Sequence, residues 1–172
     1  MLKKFTLFTF LLFNTSKIYA NPSPLGIELN KTNLNDVKKS FRILKSEVNA
    51  TNGYHNNFLD VKDISMDTLS EVNVISNEKN IIEAVSLTLD KKKFDEINQT
   101  LSEKYKLFTS DVPFVGDKIA IYEDGDCHVI NHAPHMSFTM TIVYTTKKLE
   151  SKYHDRANKE QKVKREQIKG ML

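Results

Sequence analysis

The segment MSFTMTIVYT, residues 136–145, alternates between two sets of side chains without a break. Met136, Phe138, Met140, Ile142 and Tyr144 fall on one side of an extended chain, and Ser137, Thr139, Thr141, Val143 and Thr145 on the other. Side chains in a strand repeat every two residues, so the pattern requires a strand buried on one face and wet on the other. That is the habit of antiparallel sheets. The rest of the chain must supply the neighbouring strands and a cover for the apolar face.

Both are legible. EVNVIS and IIEAVSLTL, separated by NEKN, read as a β-hairpin over 71–89, with Ile81, Val85, Leu87 and Leu89 sharing a face with Glu83. KIAIYE and CHVI flank Asp124-Gly125, where glycine supplies the positive φ of a tight hairpin turn. In KTNLNDVKKSFRIL, Leu34, Val37, Phe41 and Leu44 recur at helical spacing behind Thr32 and Asn33, either of which can cap the helix. Asp90 opens a second helix in KKKFDEINQTLSEKYKLF, with Phe94, Ile97, Leu101, Tyr105 and Phe108 as its apolar stripe. EVNATNGYHNNFLDVKD is polar and broken by Asn-Gly, a loop or a weak hairpin, and DVPFVGDK reads as a loop. The order is helix, loop or strand, two strands, helix, three strands, terminal helix. It predicts one α+β domain, an antiparallel sheet with helices on one face. Residues 32–89 and 90–146 also suit two α-βββ halves, on element order alone.

The first residues, MLKKFTLFTFLLFNTSKIYA, have a basic start, an apolar run from Phe5 to Phe13 and a small residue at Ala20. This is the layout of a cleaved secretory signal over 1–20. The run makes a helix of roughly 14 Å, too short for a hydrocarbon core of about 30 Å. The expectation is a periplasmic or secreted chain with an α+β domain at 21–152, a charged tail at 153–172 and no membrane span after cleavage. Without Lys3, Lys4 and Lys17, the 25 basic residues of the chain fall to 22 and match its 22 acidic ones. From Lys147 onward nine basic residues face four acidic ones, which reads as a solvated, mainly helical tail that frays. No nucleic-acid motif accompanies it. The single cysteine, Cys127, excludes an intramolecular disulfide, so the domain relies on its core.

At Gly26-Ile-Glu-Leu-Asn followed by Leu34-Asn-Asp-Val, the chain resembles the opening of small exported proteins with helix-then-sheet repeats. These are the outer-membrane assembly lipoproteins of the BamE type and the β-lactamase-inhibitor proteins. The resemblance covers those residues and the element order, and implies a helix-then-sheet fold. This chain lacks the lipid-bearing cysteine of the first group and the paired cysteines of the second. It is also similar to small uncharacterised periplasmic α+β proteins, which implies no activity.

Chemistry is concentrated in EDGDCHVINHAPHMSF, residues 123–138. His128, His132 and His135, with Cys127, are ligand types that suit zinc or copper. Their spacing matches no compact zinc motif, and Cys127 and His128 point to opposite faces of an extended segment. A Cys-His dipeptide lacks the base and oxyanion pocket of a thiol enzyme. Asp124 and Asp126 flank a turn glycine, where aspartate is favoured for geometry. No phosphate-binding glycine loop, nucleophile elbow or His-Glu-x-x-His is present, so the chain reads as non-enzymatic and without a cofactor. Tyr54, His55 and Phe58, together with Phe114 and Tyr122, are the candidate binding surface. The expectation is an exported, non-catalytic module that binds a protein partner or acts as an inhibitor. The alternative is a periplasmic metal-binding protein using His128, His132 and His135.

Overall fold

The computed structural model describes residues 21–49 and 53–171; the expected signal at 1–20 lies outside them. Helix α1 (Leu34–Ser40) begins where the Asn33 side chain accepts the N–H of Asn35 at 2.9 Å. Capping at this point is the sequence expectation; the far end differs. Phe41 is already extended, and residues Ile43–Val48 form strand β1 instead of a further helical turn. The reason is pairing: β1 lies antiparallel to β2 (His55–Leu59), so the Asn-rich stretch is a true hairpin. Tertiary pairing overrides a weak local period here.

Strands β3 (Glu71–Ser76) and β4 (Ile82–Asp90) form the expected hairpin. The Asn77 carboxamide oxygen accepts from the N–H groups of Lys79 and Ile81, and Asn80 takes a positive φ, which closes the turn. Register slips by one residue just after it. Ile75 faces Ala84 while Ser76 faces Ile82, and Glu83 is bulged out of the ladder. Asp90 then accepts the N–H of Lys92 at 2.8 Å and opens a short 3-10 turn that leads into α2 (Phe94–Lys104). The expected stripe overruns this helix. Tyr105 is extended, and Lys106–Asp111 is edge strand β5, on which Leu107 and Phe108 are exposed.

Strand β6 (Lys118–Asp124) turns through Gly125, at φ 55°, into β7 (Cys127–Ala133). Positive φ at the first of two loop residues is the type II′ geometry that glycine favours. Strand β8 spans Thr139–Thr146 and runs directly into α3 (Lys147–Met171), a continuous 25-residue helix where fraying was expected. Met136 and Phe138 therefore precede the strand and are exposed, contrary to the alternation read from sequence. Pro134 has no N–H to pair, and its carbonyl instead accepts the N–H of Ser137 in a turn.

The sheet has eight antiparallel strands in the order β1-β2-β3-β4-β8-β7-β6-β5. Each of α1 and α2 is followed by four strands, one more than expected. At the centre Val85, Leu87 and Leu89 of β4 lie opposite Tyr144, Ile142 and Met140 of β8. The main core gathers these residues with Leu34 and Val37 of α1 and Phe94 and Leu101 of α2. A separate small cluster joins Leu149 of α3 to Tyr54 and Ala84. The Thr146 hydroxyl accepts the N–H of Leu149 at 3.1 Å and fixes the first turn of α3. No helix among the described residues is long and apolar enough to cross a membrane.

Candidate functional site

The histidines are distributed, not gathered. His128 and His132 share the half-buried face of β7, four residues and so about 13 Å apart at about 3.3 Å per residue. His128 donates from Nδ1 to Glu150 Oε2 at 2.6 Å, and its ring lies 5.2 Å from that of Phe108. Its partner is therefore the first turn of α3. His132 lies between Ile119 and Thr141 on the neighbouring strands. His135 sits in the β7–β8 loop, and its backbone N–H donates to Asp117 Oδ1 at 2.6 Å. Among the described residues no group of three His, Cys, Asp or Glu side chains is placed to hold a metal ion. Cys127 faces the core, opposite to His128. Burial first, then the charges of Asp124 and Asp126, push its thiol up to about 11.

The aromatic set divides. Tyr54 and Tyr122 are inside, so neither is a surface anchor. The Tyr122 hydroxyl donates toward Asn98, with the backbone oxygen at 2.9 Å and Oδ1 at 2.8 Å, and ties β6 to α2. His55 and Phe58 are half-buried on β2. Phe114 is 102% exposed, at the head of the β5–β6 loop.

Phe114 has company that the sequence reading assigned elsewhere. Met136 and Phe138, 90% and 93% exposed, head the β7–β8 loop, and Val112 and Val115 are exposed beside Phe114. The two loops are neighbours, because Lys118 at the start of β6 pairs with Ala133 at the end of β7. Asp117 joins one to the other through the N–H of His135. Lys91 adds three bonds: its ammonium reaches the carbonyls of Pro134 and His135, and its N–H donates to Phe138 O at 2.9 Å. At about 150–250 Å² per aromatic side chain, the rings alone present a few hundred Å² of apolar surface, a size that on a single-chain protein is often functional. The apolar tip is displayed on bound loops.

At the opposite end of the sheet the bulge turns Glu83 into the protein, where it is 2% exposed. Its Oε2 accepts from the Tyr54 hydroxyl at 2.8 Å and its Oε1 from Asn77 Nδ2 at 2.7 Å. Lys152 Nζ donates to the Tyr54 hydroxyl at 2.9 Å and lies 5.0 Å over the same ring. Burial first, then Glu83, drives the Tyr54 phenol well above its ordinary value, so it stays a donor. These groups line an open cleft of about 230 Å³ together with Glu78, Lys79 and Lys148. A signal for it existed in the sequence: Glu83 is the one charge on an otherwise apolar strand face, and such a charge needs partners. Comparison with models of known families, with curated proteins and with solved structures finds no match to this chain.

Proposed function

We propose that this chain is an exported, non-catalytic module that binds a protein partner in the manner of an inhibitor, with Phe114, Met136 and Phe138 as its anchors. The observation that carries this reading is the apolar tip: exposed rings on two loops that Asp117 joins, the β7–β8 loop being held by Lys91 as well. Anchors fixed before contact lose little entropy on binding, and a few buried aromatic residues supply most of an interface's energy. The architecture belongs to the same proposal. Two helix-then-four-strand units meet at β4 and β8, and α1 and α2 cover one face, which leaves the loops at the sheet's end free to project. Leu34, Val37, Phe94 and Leu101 support this, since all four pack into a single cluster.

The test is affinity capture from periplasmic extract with the wild-type chain and with the Phe114→Ala, Phe138→Ala double variant. Any protein captured by the first and lost by the second is then purified and titrated directly. The reading expects a partner whose affinity falls by about a hundredfold, as for loss of two hot-spot rings. Equal capture by both chains overturns it. So does ring-dependent sedimentation with phospholipid vesicles in place of any protein partner, which would make the tip a lipid-surface anchor.

A further inference from the structure

We propose that the Glu83 cleft binds a small zwitterion, a compound carrying a primary ammonium and a carboxylate or phosphate a few bonds apart. The floor of the cleft is a buried carboxylate whose one ion pair among the described residues, to Lys148, is long and exposed to water. The groups at hydrogen-bond distance, Tyr54 and Asn77, are both neutral donors. Among the described residues the nearest ammonium is that of Lys148, at 3.9 Å from Oε1, on a side chain that is 71% exposed. A charge removed from water is normally matched by an opposite charge at contact distance. Here the cleft opens onto the place where that charge would sit, and each carboxylate oxygen retains acceptor capacity.

The rim is positive on balance: Lys79, Lys148 and Lys152 line the cleft with one further carboxylate, that of Glu78. Lys79 forms no ion pair among the described residues, and Lys152 is already positioned by the Tyr54 hydroxyl and ring. A negative floor under a positive rim sets the orientation of a ligand, ammonium inward and anion outward. The volume, about 230 Å³, lies below the roughly 300 Å³ at which pockets for drug-sized molecules begin, so the ligand is small. The bulge at Glu83 and the Asn77 turn hold the floor in place before any ligand arrives. Free amino acids and ethanolamine phosphate headgroups share this chemistry. The cleft and the apolar tip are at opposite ends of β4 and β8, so this inference stands apart from the reading of the tip.

The experiment is an NMR titration of the purified full-length chain with L-alanine, phosphoethanolamine, acetate and methylammonium. The amides to watch are those of residues 77–84 and 147–152. Expected are saturable shifts with at least one zwitterion in the millimolar range, and binding of the two single-charge probes weaker by about tenfold. Response to alanine alone identifies a free amino acid, and response to phosphoethanolamine alone identifies a headgroup; both sustain the proposal. Glu83→Gln should weaken the zwitterion by about tenfold or more, the effect of losing a charged hydrogen bond. Lys148→Ala, an exposed change that leaves the core untouched, should also weaken it, and it covers the case in which Glu83→Gln does not fold. Phe114→Ala should bind as the wild type does. Absence of any zwitterion response, unchanged binding by Lys148→Ala, or acetate binding as tightly as the zwitterions overturns the proposal.

Discussion

The carboxylate of Asp117 accepts the backbone N–H of His135 at 2.6 Å and so joins the β5–β6 loop to the β7–β8 loop. A charge-assisted bond of this kind contributes about 1.5–3 kcal/mol when well made, less where water competes. Asp117→Ala should therefore cost about 1 kcal/mol, and its larger effect should be local. Hydrogen exchange at residues 114–116 and 135–138 should quicken while the central strands stay protected. Uniform exchange across the sheet, or none different from wild type, would show that the loops are held by something else.

Exposed rings add nothing to the core. The Phe114→Ala, Phe138→Ala variant should unfold within about 0.5 kcal/mol of the wild type, as surface changes do. Tyr122→Phe is the contrasting case: it keeps the ring in the core and removes only the hydroxyl that reaches Asn98. It should cost about 1 kcal/mol in urea unfolding. The opposite ranking would mean that the tip is structural.

Leu149 is the one fully buried residue of α3, in a small cluster with Tyr54 and Ala84. Leu149→Ala should cost about 2–5 kcal/mol if the root of α3 belongs to the folding unit. Trypsin should then cut at the early lysines of α3 well before the sheet. Unchanged cleavage would show that the polar contacts of Lys147, Glu150 and Lys152 hold the helix alone.

Cys127 is buried and its thiol is pushed up to about 11, so little thiolate forms in the folded protein at mild pH. Ellman's reagent at pH about 8, near the ordinary thiol value, should label it slowly in buffer and rapidly in guanidinium. Stoichiometric labelling at once in buffer would contradict the burial.

Glu123 accepts from Lys147 at 2.5 Å, and that bond first, then the lysine's charge, holds its carboxyl below the usual range. A depressed folded value means the contribution to stability is present above the unfolded value, about 4.3. It is lost as pH falls through the lower folded value. Glu123→Gln should lower Tm slightly at neutral pH, and the difference from wild type should close in acid. A difference constant with pH would remove the ion pair from the account.

Features set by local chemistry were legible in the sequence. The Asn77 turn, the Gly125 turn, the Asn33 cap and the turn at Asp90 that leads into α2 all depend on residues within a few positions. Strands β1 and β5 were not legible, because almost every residue on them is exposed and no alternation marks them. They are strands because β2 and β6 offer backbone partners. The apolar tip was hidden by a coincidence of phase: Met136 and Phe138 continue the alternation of β8, but pairing starts only at Thr139. At Glu83 the alternation was visible and the bulge was not, since a bulge is a property of two strands together.

The order of the strands also sets a timetable for synthesis. β4 is the most thoroughly buried strand of the sheet, and its outer partner, β8, is the last strand made. Until β8 emerges, a finished β1–β4 meander presents its most apolar strand as an open edge, ready to pair with any other extended chain. A chain cut short before Thr139 should therefore keep that edge open and aggregate more readily than the whole chain.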